Sequence, residues 1–500
     1  MILLDPNRHP ALASSALGVS TGHVPVPLKR LRRAELLWLN TDEARLDPAW
    51  VELGGDASAY AAHLLDACAY EIARDGGAPD RRGVADRYGG GNIGTNGGSG
   101  RAVLVGPYYV KGVGRTPLVG LGVDEGHASG GAYLEECVRE SLLGEILHRE
   151  LPHGTVRTLA ILTTGAVQVW NTEHGPKPER RCLLVRRAFL RPAHLERAPM
   201  YRGAEALPGM ADAHRVRETI RALAEASGGG VEALQAQLTE SFRRWSRQLA
   251  SSYLLCLPHG GVSSSNAALD GRLVDFGATA SVPSLARYWV ASGNHPSGEE
   301  FRDIIDTVNG VACAFRFTAG QGEPARAWRS HACEQVMHAY VDGLRATLLQ
   351  LVGLSCGEAR ALLDGASGRA AAQEIDRWLQ PLRRQALPIF EGAPWHSQAM
   401  PEERSLQELE DTMTRVARHH GAPLPASDAE TAARRRAVRA RWTAPRMRLD
   451  RERLKDECYA RLEGRHTNLP DLRKATAALI EEIVADEVRV PLTTVCSQCP

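Results

Sequence analysis

Aromatic side chains make up only 5% of this 500-residue chain, and charge of one sign is absent as a theme: 60 Lys+Arg stand against 59 Asp+Glu. With a net charge of +1, no whole-molecule field draws the protein to nucleic acid or anionic lipid, so any such binding would have to be local. No apolar run reaches the ~18 residues of a membrane span, which excludes one. The first residues carry Asp5, Arg8 and two prolines in place of the apolar stretch of a secretory signal, and the expectation is a cytoplasmic protein. Cysteine is sparse and scattered, ten residues from Cys68 to Cys499, which is not a disulfide scaffold. The single CxxC, Cys496 to Cys499, cannot complete a four-ligand zinc site without partners elsewhere. Internal repeats and long low-complexity segments are missing too. What is present, 43% hydrophobic residues, suffices for a substantial core and rules out global disorder.

Length allows about two to four domains. Residues 1–95 read as an N-terminal extension, Pro- and Arg-rich at first, with helix-like spacing at Ala61, Leu64, Leu65 and Cys68. Residues 96–200 read as a small β-rich lobe. It holds short β-type runs at Ala102–Val105 and Tyr108–Val110, a helix over Gly131–Arg149, and strands at Arg157–Leu162, Val167–Trp170 and Cys182–Val185. Residues 201–395 read as a helical lobe, with Leu234, Leu238, Phe242, Trp245 and Leu249 as a core stripe and helix expected from Pro283 to about Leu387. A hairpin signal, Asp270-Gly271, interrupts it. Residues 396–500 read as a charged helical tail ending in the CxxC. The arginines of 434–453 read as a solvated face.

Four pieces carry chemistry together. Lys111-Gly-Val-Gly-Arg-Thr-Pro117 is a strand lysine running into a cationic glycine turn. The next helix carries Glu136 and Glu140, one turn apart. Then come Arg186-Arg-Ala-Phe-Leu-Arg191, and His259-Gly-Gly-Val-Ser-Ser-Ser-Asn266 followed by Asp275-Phe-Gly277. A strand lysine supplies fixed positive charge for phosphate oxygens, and a helix carboxylate holds it. Asn266 and Asp275, nine residues apart across a hairpin, can converge on one Mg²⁺, which prefers oxygen ligands. The order Lys, helix Glu, His with Asn seven residues later, then D-F-G is the order of a protein kinase's parts. The kinase's catalytic aspartate is missing: Gly261 stands there. His259 reads as a strut for the loop, and Glu136 as solvated or capping.

These motifs resemble the selenoprotein O family of protein adenylyltransferases. The family's K-G-[SA]-G-x-T-P turn matches Lys111–Pro117, and its I-R-E-F-L-x-S-E-A-M-H helix matches Val138–His148. Its P-T-x-R-x-L resembles Gly154–Leu159, its F-I-R-x-G-H-F-E Phe189–Glu196, its H-G-V-M-N-T-D-N His259–Asn266, its D-Y-G Asp275–Gly277, and its L-G-D-G-R-A Gly97–Ala102. The matches run in order over about residues 88–277, and a C-terminal cysteine motif, here Cys496-Ser-Gln-Cys499, is also a family trait.

The resemblance implies an α+β, protein-kinase-like two-lobed fold with N- and C-terminal extensions. It implies ATP with Mg²⁺ (or Mn²⁺) as cofactors, and AMP transfer to a hydroxyl of a protein or peptide acceptor, without nucleic acid. Carried over by position, Lys111 contacts phosphates and Glu140 pairs with it. Gly98, Gly100, Arg101, Gly112, Gly114, Arg115, Gly130, Arg191 and one of Arg186 and Arg187 line the nucleotide. Asn266 and Asp275 hold the metal. Backbone N–H groups of the glycine turns are expected to approach phosphate. The chain departs from the pattern where the family's proposed catalytic Asp is Ser265 and its D-G-R is Ser129-Gly130-Gly131. A nucleotide-binding regulator without catalysis, or a kinase-type phosphotransferase, is therefore the alternative.

Overall fold

The computed structural model describes residues 22–488, apart from 74–77, 124, 174, 204–208, 284, 286, 292, 351, 384–402, 423–428, 430–445 and 464–467. The architecture is α+β. Among the described residues, nine strands form one antiparallel sheet: β1 (His23–Arg30), β2 (Glu35–Leu39), β3 (Tyr70–Ile72), β4 (Arg81–Asp86), β5 (Ala102–Val105), β6 (Tyr108–Lys111), β7 (Ala132–Tyr133), β8 (Ala160–Thr172) and β9 (Gly175–Arg187). Their order is β2-β8-β9-β6-β5-β4-β1-β3, with β7 paired to β9. Strands β1–β4 fall inside the segment read as an extension, yet they continue the same sheet as β5–β9. Pro25 and Pro27 had obscured β1. Both lie in the stretch paired with β4, and Pro27 still serves the β3 side through its carbonyl, which accepts from the Ala73 N–H at 2.9 Å.

Short helices α1 (Thr41–Ala44), α2 (Pro48–Glu52) and α3 (Ala57–Cys68) follow β2, and α4 (Glu125–Ala128) precedes β7. The helix α5 (Leu134–Glu150) runs on from β7, with Leu134, Val138, Leu142 and Ile146 fully buried against the main core. Then come α6 (Gly209–Ala226) and α7 (Gly230–Leu254), hinged on Gly228 and Gly230, both at φ +72°. The expected stripe of α7, Leu234 to Leu249 with Trp245 and Phe242, is core. Beyond Pro283 the expected helix starts only at α8 (Phe301–Cys313), because Gly293 and Gly298 adopt left-handed φ and Pro296 lies between them. A π-helical turn (Ala314–Thr318), α9 (Gly322–Gln350), α10 (Cys356–Asp364), α11 (Gly368–Arg383) and α12 (Glu403–His419) complete this part.

The tail helices Arg451–Leu462 and Leu469–Glu487 pack on α5. Of the arginines read as a solvated face, Arg446 is instead buried: its guanidinium donates to both oxygens of Glu150 (2.8 and 2.5 Å) and to the Glu487 carbonyl (3.0 Å). Cys496 and Cys499 lie outside the described residues. Among the described residues, no helix is long and apolar enough to cross a membrane.

Glu150 is fully buried, so Glu150→Ala should strip the buried Arg446 cation of its two-oxygen partner and leave only Glu487, 3.2 Å away, as counter-charge. The expected loss is roughly 3–5 kcal/mol in urea unfolding. A loss below about 1 kcal/mol would show that the tail docks without this pair.

Candidate functional site

β6 ends on Lys111, and its ladder with β9 sets Tyr109 opposite Arg186 and Lys111 opposite Leu184. Directly opposed residues share a face, so Lys111 and Arg186 point to the same side, toward α5. There the Lys111 ammonium donates to Glu140 Oε2 at 2.6 Å, and Arg186 donates to the other oxygen, Oε1, at 2.7 Å. The alternation that turns Arg186 inward turns Arg187 outward. It pairs with Glu43 at 2.8 Å and the Leu46 carbonyl at 3.2 Å, so of the two expected candidates only Arg186 belongs to the site.

Glu136 corrects its expected role. Its carboxylate bridges Arg101 (2.8 Å) and Lys111 (3.1 Å), the two cations assigned to phosphate. The helical repeat brings it there: one turn before Glu140, it shares that face of α5. Burial pushes the Glu136 carboxyl up, but Arg101 and Lys111 outweigh it and leave it at about 2. Burial and the adjacent Arg101 lower Lys111, while Asp275, Glu136 and Glu140 together raise it above its ordinary value.

Asn266 and Asp275 stand on the two arms of the turn around Asp270-Gly271. The Val274 N–H donates to the Asn266 carbonyl (3.1 Å), and Ala268 N–H to the Arg272 carbonyl (2.8 Å). Asp275 sits at φ +65°, a left-handed conformation rare for a residue with a side chain. Its carboxylate is partly open to solvent, 4.0 Å from the Lys111 ammonium. Lys111 first, then Arg101 and Arg186, hold it well below the usual carboxylate range against burial and Glu136. The Asn266 amide donates to the Gly261 carbonyl at 2.8 Å. His259 is a buried strut: burial keeps it neutral, and its Nε2 faces the Val274 carbonyl at 3.1 Å, which assigns the proton to that nitrogen. Arg139, from α5, donates to the Gly277 carbonyl at 2.9 Å.

Ser265, at the position of the missing base, has its hydroxyl 2.9 Å from Ser263 Oγ and donates weakly to Asn266 Oδ1 at 3.4 Å. Arg191 reaches the Ser265 carbonyl, with its guanidinium 4.6–5.3 Å from the ring centres of Phe189, Tyr109 and Tyr88. That aromatic cage was not foreseen, because its rings come from three separate segments.

The glycine turns do something other than expected. The N–H groups of Gly112, Gly114 and Thr116 donate to the carbonyls of Arg101 (2.7 Å), Gly130 (3.0 Å) and Gly100 (3.0 Å). Those donors hold the turns to each other and are not left for phosphate. Gly130 (φ +71°) lies so close that a β-carbon would sit 2.0 Å from the Arg115 nitrogen, and one on Gly98 would sit 2.1 Å from the Asp86 carbonyl oxygen. Gly100 packs on Val119. Arg115 projects into solvent from the Gly112–Pro117 turn. The structure thus brings together Lys111, Glu140, Glu136, Arg101, Arg186 and Asp275, with Asn266, Ser265 and Arg191 adjoining along the loop.

Four cations, Lys111, Arg101, Arg186 and Arg191, face three carboxylates, Glu136, Glu140 and Asp275. An amide oxygen and a carboxylate beside them are the hard donors a Mg²⁺ ion takes, and the cationic excess suits a polyphosphate. No protein-family model and no curated protein matches the chain.

Because the folded-state Glu136 is lowered from 4.5 to about 2, it favours the folded state above pH ~4.5, and this is lost as pH falls toward 2. Acid unfolding of Glu136→Gln should therefore show a shallower loss of stability between pH 4.5 and 2 than the parent chain. An unchanged slope would exclude the bridge to Arg101 and Lys111.

Proposed function

We propose that this protein is an ATP- and Mg²⁺-dependent nucleotidyltransferase, a divergent selenoprotein O-type enzyme on a kinase-like two-lobed frame, moving AMP to a hydroxyl of a protein or peptide. The observation that carries the reading is the convergence of Lys111, held by Glu140 at 2.6 Å, with Asp275 and its neighbour Asn266 on one turn. Residues 111 and 275 are far apart in sequence, and a chance D-F-G would have no reason to meet a strand lysine.

Asn266 and Asp275 would hold the metal, which when bound supplies charge neutralisation at the phosphates. The chain's own part is electrostatic. Lys111, Arg101 and Arg186 form a fixed cationic wall backed by buried acids, so little reorganisation is needed when negative charge arrives. For phosphate oxygens to reach Lys111 and Arg101, the Glu136 carboxylate has to give way. Ser265 offers the acceptor hydroxyl no base, and general-base help is worth about 10²–10⁴-fold, so turnover is expected to be slow. The same serine favours a second reading, a regulator that binds nucleotide without transferring it.

Incubation with α-labelled and γ-labelled ATP separates these readings. Transfer of the α label alone supports AMP transfer, and transfer of the γ label alone means a kinase-type reaction. Transfer of neither, with ATP still raising the melting temperature, means the regulator. Asp275→Ala should abolish metal-dependent ATP binding, and unchanged binding would remove the site under every reading. Glu136→Gln should tighten ATP roughly tenfold, because phosphate no longer competes with a built-in carboxylate.

A further inference from the structure

A cavity of about 430 Å³ lies between the Gly90–Gly94 loop, residues 196–200, α6, α8 and the π-helical turn Ala314–Thr318. Its size falls within the roughly 300–1,000 Å³ of small-molecule sites, and π-turns recur at such places. Pro199, Met200, Ala213 and Phe317 give it apolar walls, with Met200 and Phe317 exposed at 58% and 71%. One buried carboxyl belongs to it. Glu196 is 6% exposed, and its Oε2 has no hydrogen-bond partner.

Two glycines make room for that carboxyl. A β-carbon on Gly310 of α8 would sit 1.9 Å from Glu196 Oε1, and one on Gly90 would sit 2.9 Å from Oε2 and 2.5 Å from Ser264 Oγ. The nearby cations are committed elsewhere. From α6, Arg215 donates to Asp212 (2.9 Å) and to the Glu196 backbone carbonyl (2.6 Å), and Arg217 donates to the Thr318 carbonyl (2.8 Å). Arg197 turns to Asp212 at 3.7 Å. Among the described residues, no ion pair reaches the Glu196 carboxyl. A buried acid that no ion pair reaches, with Ser264 as its nearest polar neighbour and walls that are apolar apart from Arg197 and Arg217, is costly to ionise, and a cation with an apolar body relieves that cost.

We propose that this cavity binds an organic ammonium ion, an amine carried on a small apolar group, with Glu196 as its counter-ion. The amine is either a free small molecule or a lysine side chain of a bound peptide. None of Lys111, Asn266 and Asp275 lines the cavity, so amine binding stands or falls independently of nucleotide transfer. Burial pushes the Glu196 carboxyl up to about 7, against the pull of Ser264 and Arg215. The groups facing it are the Ser264 hydroxyl, Arg215 and Arg217 of α6, Arg197 of its own segment, and the Cys313 thiol of α8. Because the ammonium pairs with the ionised form, binding strengthens as pH rises through 7. An acid with that midpoint goes from about one-tenth to nine-tenths ionised between pH 6 and 8, so affinity should rise about tenfold.

The test uses the full chain with benzylamine, Nα-acetyl-lysine methylamide and benzyl alcohol, followed by titration calorimetry. A second readout is protection of the exposed, cavity-lining Cys313 from N-ethylmaleimide. Benzylamine should bind, protect Cys313, and bind about tenfold more weakly at pH 6 than at pH 8. Glu196→Gln should lose at least tenfold in affinity, and Phe317→Ala, at the exposed rim, should weaken binding without disturbing the fold. If the lysine derivative binds as well as benzylamine, the occupant is a peptide side chain; if it binds much more weakly, the occupant is a free amine. The proposal fails if benzyl alcohol binds as tightly as benzylamine, if Glu196→Gln leaves binding unchanged, or if neither amine binds.

Discussion

The buried acids of α5 and the cations that neutralise them are the constraint on which the structure turns. Glu135, Glu140, Glu145 and Glu150 are all buried, five residues apart. Five residues of helix advance the direction by roughly 140°, so the four carboxylates radiate to different neighbours. Glu135 meets Arg139 on the same helix, and Glu140 meets Lys111 of β6 and Arg186 of β9. Glu145 meets Arg157 and Asn40, and Glu150 meets Arg446 from near the far end of the chain. A carboxylate without a partner there would be untenable, so each pair fixes where a separate element must dock.

That arrangement ties the site to the whole molecule. The helix that aims Glu140 at Lys111 also holds Gly277 through Arg139, and its other end is anchored by Arg446. Arg446 in turn accepts from Ser281 Oγ at its carbonyl (2.6 Å), four residues beyond Gly277. The segment carrying Asp275 is thus gripped on one side by the helix that positions the lysine and on the other by the arginine that anchors that helix. The site is built from long-range ion pairs, and its cations are held apart by acids before any ligand arrives. Glu140 sits on Lys111 and Arg186, and Glu136 sits on Lys111 and Arg101, which makes the less buried Glu136 a competitor for whatever anion the site takes.

Much of this was legible in the chain. The helical spacing of Leu134, Val138, Leu142 and Ile146 marked α5, and the Asp270-Gly271 signal marked the turn that joins Asn266 to Asp275. Glu140 was selected ahead of Glu136 because motif order carries one acid, whereas packing admits two on the same helical face. Strand β1 was hidden because its prolines offer a carbonyl but no N–H, and whether that donor is missed is decided only once the neighbouring strands are assembled. Glycine turns looked like phosphate cradles; the N–H groups of Gly112, Gly114 and Thr116 proved to be claimed by the carbonyls of facing loops, which no local pattern records.

Sequence alone determined the local periodicities, the turn chemistry and the order of charged residues along the chain, since these depend on neighbours a few positions away. The choice between Arg186 and Arg187, the burial of Arg446, the bridging of Glu136 and the isolation of the Glu196 carboxyl belonged to the tertiary structure. Each is a question of which distant group neutralises a charge removed from water. Only the assembled fold supplies the partner and the low dielectric that makes the partner necessary.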